Sequence, residues 1–223
     1  MSLTLFILSP WLQAAIGLIL IINLGLLAAE RQQICIRLLT LQGFAVSLIP
    51  VLLADAPSGV PWSLMLTTAV FMLIKGFFLP FMLKKAHKTL GQSAPTPPQL
   101  GYNLSVLAGF SGFAFSLWLA GRLPAPANPT FLALFAPAFA TILAGLLLIV
   151  TRRKALTQIM GYLVMENGIF LLGVPLARHE SFWLELSILL DVWVGIFVMV
   201  LALYHLNRTL HTTDVGRINS LRD

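Results

Sequence analysis

The sequence predicts an all-α, polytopic membrane protein, a bundle of seven transmembrane helices. Two observations support this prediction. Hydrophobic residues make up 58% of the 223 residues and charged residues only 10%, whereas an average soluble domain has roughly 25% charged residues. The apolar runs are also continuous and about 20 residues long, the length that a helix needs to cross a bilayer, while the strands of a membrane barrel alternate and are shorter.

Seven apolar runs follow one another along the chain. They cover approximately residues 10–29, 34–54, 61–83, 101–120, 130–150, 155–176 and 182–206. The fourth run is rich in Gly, Ala and Ser, which lets helix backbones approach closely. The fifth contains Pro137, where we expect a kink.

The segments between the runs divide the chain into four regions. The first is an N-terminal three-helix segment, residues 1–90, and the second is a Pro-rich linker, residues 91–100, which is too polar to span. The third is a fourth helix with its loop, residues 101–127. The last is a C-terminal three-helix segment with a polar, basic tail, residues 128–223.

Basic residues are concentrated on one side of the predicted membrane. The loops after the first, third and fifth spans, together with the tail, hold Arg31, Arg37, Lys84, Lys85, Lys88, Arg152, Arg153, Lys154, Arg208, Arg217 and Arg222. The opposite side holds Arg122 and Arg178. Because cytoplasmic loops carry the excess of Lys and Arg, we expect the N-terminus outside and the C-terminus in the cytoplasm. This asymmetry explains the net charge of +6 without a nucleic-acid partner, and it predicts a multi-pass protein of the cell's inner (plasma) membrane.

No motif for catalysis, cofactor binding or metal binding is recognisable in the sequence. Cys35 is the single cysteine, which excludes an internal disulfide and a cysteine-ligated cluster. The histidines lie near predicted span ends, and none forms an i, i+4 pair inside a span. Nucleotide-binding and zinc-protease signatures are absent. We therefore expect no catalytic centre, cofactor or metal in this chain.

Three ionisable residues, Lys75, Glu166 and Asp191, lie deep inside predicted spans. At 1.5 Å rise per residue, they lie roughly 21, 15 and 12 Å, respectively, from the outer ends of their spans. Such a group costs roughly 2.5–3.5 kcal/mol on insertion scales and usually faces protein or water. Because chains of acidic and basic side chains form proton relays in membrane proteins, these residues predict a proton pathway. The alternative is that they form inert pairs that hold helices together.

Three further residues are expected to support such a pathway. Asn167 follows Glu166 directly and has an amide that can hydrogen-bond a neighbouring helix. Tyr162 lies one turn before Glu166 on nearly the same face, where it either hydrogen-bonds the carboxylate or packs at an interface. Gln42 occupies a position in the second span similar to that of Glu166 in the sixth.

The segment after Arg153 resembles a known family. Its basic turn, the run from Gln158 to Gly168 with Met165-Glu166-Asn167-Gly168, and the span with Asp191 resemble the E component of hydrogenase-4, a membrane protein, and its relatives. The resemblance implies a subunit of a membrane-bound group 4 [NiFe]-hydrogenase or formate hydrogenlyase complex. It implies antiporter-like and other membrane subunits as partners, with the nickel–iron centre and iron–sulfur clusters in those partners.

The last three spans are also similar to the small three-helix K subunit of respiratory complex I and to the C component of Mrp-type antiporters. In the K family two membrane glutamates lie in a lateral proton pathway. Asp191 matches the second in position, whereas Leu163 stands where the first would be and Glu166 lies one turn later. The resemblance implies a role between a redox arm and antiporter-like subunits. The alternatives are a component of an Mrp-type cation/proton antiporter complex and a purely structural scaffold.

Overall fold

The computed structural model describes residues 9–54, 62–89, 101–123, 129–175 and Trp193, and within these ranges the regular secondary structure is entirely helical. The elements are α1 (Pro10–Ala28), α2 (Gln32–Leu52), α3 (Trp62–Leu73), a π-helical segment (Ile74–Phe78), α4 (Leu79–Thr89), α5 (Tyr102–Ala120), α6 (Pro129–Thr151) and α7 (Ala155–Gly173).

Within the described ranges, six helical stretches are long and apolar enough to cross a membrane. Five are single helices, and the sixth, Trp62–Lys88, joins α3, the π-helical segment and α4. For the described residues, the prediction of an all-helical protein with helices that can span a membrane is therefore confirmed. The predicted seventh span, about residues 182–206, lies outside the described residues apart from Trp193, and the orientation of the termini stays a prediction.

One end of the bundle gathers the basic turns. Here α1, α4 and α6 end and α2 and α7 begin, and short contacts join them. Gln32 accepts a hydrogen bond from His87 Nδ1 at 2.9 Å and donates one to Thr157 Oγ1 at 3.5 Å. We call this the basic end. The same-side grouping inferred from the loops agrees with this arrangement.

Arg152 differs from the other cations of the basic end because it is buried, with 5% of its surface exposed. Its Nη2 donates a 2.6 Å hydrogen bond to the carbonyl oxygen of Leu27, in the last turn of α1. A cation at a helix C-terminus stabilises the helix dipole and satisfies a terminal carbonyl. Sequence analysis grouped Arg152 with the loop cations that indicate topology, whereas in the structure Arg152 also connects α1 to the α6–α7 turn.

The π-helical segment has a local cause in the sequence. Pro80 has no N–H, and in an α-helix its ring would clash with the carbonyl of Gly76 four residues earlier. The turn widens so that the Leu79 N–H reaches Ile74 O, five residues back. A π turn of this kind is rare, and such turns occur frequently at functional sites. This one places Lys75 and Gly76 in the interior.

Gly43 of α2 lets the π-helical segment approach closely. A Cβ at Gly43 would lie 2.7 Å from the carbonyl oxygen of Lys75, which is closer than real Cβ contacts come. On the other side of this contact, a Cβ at Gly76 would lie 2.6 Å from the ring of Phe44. The backbone that carries Lys75 therefore lies directly against α2, as small residues permit between membrane helices.

Two apolar clusters fill the inside of the bundle. The cluster at the basic end includes Leu26, Ile36, Leu83, Leu148 and Met160. The cluster at the opposite end includes Ile16, Ile49, Phe71, Leu134 and Phe170. Each of α1, α2, α6 and α7 contributes to both clusters, so the clusters lie one above the other along the bundle axis.

Candidate functional site

A layer of polar side chains separates the two apolar clusters. Along each span, the members of this layer lie between residues of the cluster at the basic end and residues of the cluster at the opposite end. All of them are buried. They are Asn23 of α1, Gln42 of α2, Lys75 of the π-helical segment, Thr141 of α6, and Glu166 and Asn167 of α7. We call this set the polar layer. Its place between apolar clusters puts it in the middle part of the bundle, away from both ends.

An ion pair forms one side of the polar layer. Lys75 Nζ lies 2.8 Å from Glu166 Oε1, and each side chain is only 2% exposed. The ammonium donates a second hydrogen bond, to Asn167 Oδ1 at 3.1 Å, and lies 5.4 Å from the centroid of the Phe170 ring. Two of the three deep charges in the sequence, Lys75 and Glu166, which are 91 positions apart, thus form one buried site.

A chain of hydrogen bonds runs from this ion pair across the bundle. Asn167 Nδ2 donates to Gln42 Oε1 at 3.4 Å, and Gln42 Nε2 donates to Asn23 Oδ1 at 2.7 Å. Asn23 Nδ2 then donates to Thr141 Oγ1 at 2.8 Å. The Thr141 hydroxyl donates to the carbonyl oxygen of Pro137 in its own helix at 2.8 Å. The chain therefore connects the π-helical segment, α7, α2, α1 and α6.

The direction of this chain is fixed by chemistry at its two ends. A lysine ammonium only donates, so Asn167 must turn its oxygen toward Lys75 and its nitrogen toward Gln42. Gln42 and Asn23 must in turn accept with the amide oxygen and donate with the amide nitrogen. The chain ends at the Pro137 carbonyl oxygen, which can only accept. All bonds point the same way, an arrangement in which each bond polarises the next.

A small cavity borders the ion pair. It has a volume of about 10 Å³, and its lining includes Lys75, Glu166, Asn167, Gly43 and Leu163. This volume is close to the ~10–15 Å³ that one water molecule needs, and a buried water needs about two to four polar partners. Lys75, Glu166 and Asn167 offer that many polar groups. The site therefore has room for about one water molecule beside the charged pair.

The site includes two residues that sequence analysis did not select. Asn23 is the single polar side chain in the run from Ile16 to Leu27, and this interruption could have identified it. Thr141 has no such signal, because a threonine that bonds the carbonyl four residues back is common in membrane helices.

Two further residues of the predicted proton pathway, Tyr162 and Asp191, are not among the residues of the polar layer. Tyr162 is half-buried and packs against the apolar cluster of the basic end, and the described contacts show no hydrogen bond from its hydroxyl to Glu166. Asp191 lies outside the described residues, so its place relative to Lys75 and Glu166 stays a prediction.

Comparison with known proteins gives matches in sequence. Residues 133–223 match the family described as NADH-ubiquinone/plastoquinone oxidoreductase chain 4L. Hydrogenase-4 component E of Escherichia coli K12 is 28% identical over 159 residues, which cover 71% of this chain and 74% of that protein. An uncharacterized protein of Mycobacterium tuberculosis is 30% identical over 196 residues, covering 84% of this chain and 85% of the other. No solved structure matches the chain significantly.

These matches agree with the resemblance drawn from residues 153–191. The similarity to hydrogenase-4 component E covers most of both proteins, and the chain 4L match includes Glu166, Asn167 and Asp191. The chain is therefore a homologue of hydrogenase-4 component E and of the Mycobacterium tuberculosis protein, and its C-terminal part is related to chain 4L, the K-subunit family of complex I.

Proposed function

We propose that this chain is a non-catalytic integral membrane subunit of a complex-I-like assembly, of the group 4 [NiFe]-hydrogenase or formate hydrogenlyase type. In this proposal its polar layer belongs to a lateral proton path between a redox arm and antiporter-like subunits. The main support is the buried Lys75–Glu166 pair at the head of a directed hydrogen-bond chain. The relatives support the setting, since one is a hydrogenase component and the matching family is an oxidoreductase chain.

The ion pair has the chemistry that a proton relay requires. Lys75 Nζ and Glu166 Oε1 lie 2.8 Å apart. Transfer of a proton from the ammonium to the carboxylate converts two charges into two neutral groups and leaves the net buried charge unchanged. A proton that arrives from elsewhere at either group, or departs from it, leaves one uncompensated charge. Such a charge is costly in a poorly hydrated site. Proton arrival and departure are therefore expected to be coupled.

Stability alone gives little reason to retain this pair. Replacing a buried ion pair by apolar side chains of similar volume is often neutral or stabilising. An apolar pair at positions 75 and 166 would also insert into the membrane more cheaply. The cost of the ion pair is explained if its charge changes during function.

The amides of the polar layer have a different part in the proposal. An amide neither gains nor loses a proton easily, so Asn167, Gln42 and Asn23 are positioning residues. Their directed chain holds the Asn167 oxygen against the Lys75 ammonium and so fixes the ion pair. The small cavity beside the pair offers a position for a water molecule to pass the proton on, and Asp191 is the sequence-predicted next carboxylate.

Partners and cofactors follow from the same proposal. We expect antiporter-like and other membrane subunits beside this chain in the inner (plasma) membrane, and a nickel–iron centre with iron–sulfur clusters in partner subunits. Purification of the native complex through a tag on this chain, with nickel and iron assayed in the same sample, tests this setting. Nickel with iron–sulfur subunits is the expected result, whereas antiporter-like subunits without metal would assign the chain to an Mrp-type complex.

The proton path itself is tested by the variant Glu166→Gln in the assembled complex. Glutamine keeps the shape and a hydrogen-bond acceptor for Lys75 but does not titrate. We expect proton translocation to fall by at least about tenfold, as for removal of a proton-transfer group, while the complex still assembles. Glu30→Gln removes an exposed carboxylate and is the matched control. Wild-type translocation in a Glu166→Gln/Asp191→Asn variant would reject the path.

A further inference from the structure

A second polar feature lies at the basic end, away from the polar layer. A cavity of about 550 Å³ opens between the first turns of α2 and the last turns of α4. Its lining includes Gln33, Ile36, Arg37, Phe81, Lys84 and Lys88. The volume falls within the approximate range of 300–1,000 Å³ typical of small-ligand sites.

The two walls of the cavity are helix faces. Gln33, Ile36 and Arg37 lie three or four residues apart on α2, and Phe81, Lys84 and Lys88 do so on α4, so each set shares one face. Beneath the cavity the helices pack through apolar side chains such as Leu39 and Leu83. His87 joins the walls, since Gln32 Oε1 lies 2.9 Å from its Nδ1 and Gln33 Nε2 lies 3.5 Å from its Nε2.

The charge of the lining has one sign. Arg37, Lys84, Lys85 and Lys88 contribute cations, and the described residues that line the cavity include no carboxylate. A cleft lined by charges of one sign concentrates the potential and attracts a counter-ion. An arginine guanidinium binds phosphate oxygens in a bidentate manner, and lysines add point charges around them. The cavity therefore fits a phosphate-bearing ligand.

The apolar part of the cavity indicates the kind of phosphate compound. Phe81 is 61% exposed, and one turn earlier on the same span Phe77 is 60% exposed and Phe78 46%. From Phe77 in the π-helical segment to Lys88 near the end of α4, the side chains change from exposed aromatic rings to cations within about three turns. This change from apolar to cationic surface is expected at the level of lipid headgroups, where basic pockets between membrane helices bind anionic headgroups.

We propose that this cavity is a binding site for an anionic phospholipid. Arg37, Lys84 and Lys88 contact the headgroup phosphate, and Phe81 packs against the acyl chains. A soluble phosphate would use the cations but leave the aromatic surface without a role. The site would anchor α2 to α4 at the basic end and so support the span that carries Lys75.

Native mass spectrometry of the purified full-length protein tests the site. Phosphatidylglycerol and phosphatidylcholine are added separately, and inorganic phosphate is added as a competitor. We expect phosphatidylglycerol to bind preferentially and inorganic phosphate at millimolar concentration not to displace it. The variant Arg37→Gln/Lys84→Gln should bind phosphatidylglycerol at least about tenfold more weakly, since each cation near a membrane surface contributes to the attraction of anionic lipid.

Two further variants keep the test decisive. Arg31→Gln/Arg153→Gln removes two exposed cations of the basic end that do not line the cavity, and it should keep nearly wild-type binding. Arg37→Lys/Lys84→Arg conserves the charge and should also bind the lipid. Equal losses in the Arg31/Arg153 variant, equal binding of phosphatidylcholine, or displacement by inorganic phosphate would each overturn the proposal.

Discussion

Helix α7 makes two contacts of opposite character. Toward α6 it presents Gly161 and Gly168, and the two backbones touch. A Cβ at Gly161 would lie 2.9 Å from Gly145 O, and one at Gly168 would lie 2.7 Å from Ile142 N. Toward α2 and the π-helical segment, α7 instead presents Glu166 and Asn167, which form the ion pair and the start of the hydrogen-bond chain.

The two faces of α7 therefore have different roles. Small residues spaced seven apart on α7 meet Ala138 and Gly145, also seven apart, on α6, so this contact depends on shape alone. The opposite face depends on charges and hydrogen bonds. Burying these groups costs free energy, and the cost is offset only when every group has its partner. The α6 face fixes the position of α7, and the polar face is free to serve the proposed proton path.

The largest effect on stability is expected for Lys75→Met, which removes one partner of the ion pair. Glu166 then remains buried beside Asn167 without its cation, and breaking a buried pair costs about 3–5 kcal/mol. The free energy of unfolding in detergent, measured by denaturant titration, should fall by about that amount. Arg153→Met removes an exposed cation that does not line the cavity at the basic end and should change it by less than ~0.5 kcal/mol. Equal effects of the two variants would contradict the account.

The next largest effect is expected for Gly145→Ala in the shape-dependent contact. The new methyl group would meet the backbone of Met165 and lie 2.6 Å from Gly161 O, so α6 and α7 must separate. Such overpacking costs about 1–3 kcal/mol. Gly17→Ala is the control, because a Cβ there has nothing within 4 Å. A thermal melt that shows the two substitutions to be equally tolerated would mean that α6 and α7 do not pack this closely.

A smaller effect is expected for Gln42→Leu, which interrupts the hydrogen-bond chain without touching a charge. Asn167 Nδ2 and Asn23 Oδ1 each lose their partner. Leaving a buried polar group unsatisfied costs about 1–3 kcal/mol, although hydrogen bonds in membrane proteins average only about 0.6 kcal/mol, so we expect about 1 kcal/mol. Gln33→Leu, at an exposed position, should cost less. A loss as large as that of Lys75→Met would mean that Gln42 is part of the charged site.

Sequence analysis found the residues of the site more easily than their contacts. Lys75 and Glu166 were conspicuous because a charge inside an apolar run is expensive. Pairing of the deep charges was one of the two alternatives, but the sequence did not predict which residues pair, since that depends on how α7 packs against a span 91 positions away. The π-helical segment was missed because the expected effect of Pro80 is a kink, and a local widening of the turn is only one way to relieve it.

The helical spans themselves followed from hydropathy, because length and apolarity suffice to specify a membrane helix. Hydropathy and charge patterns do not predict the contacts of Arg152. A basic residue in a short turn looks like a topology signal, and only the packed structure reveals its bond to the last turn of α1.

The most direct test of the central claim replaces both partners, in Lys75→Met/Glu166→Met. Because neither charge is left alone, the variant avoids the cost of an unpaired buried charge, and stability should fall by only about 1 kcal/mol, for the Asn167 oxygen that loses its donor. The measurement is proton translocation by the assembled complex in sealed vesicles. The account predicts a complex that assembles but translocates few or no protons. An assembled complex with wild-type translocation would contradict it and would make the ion pair a structural contact.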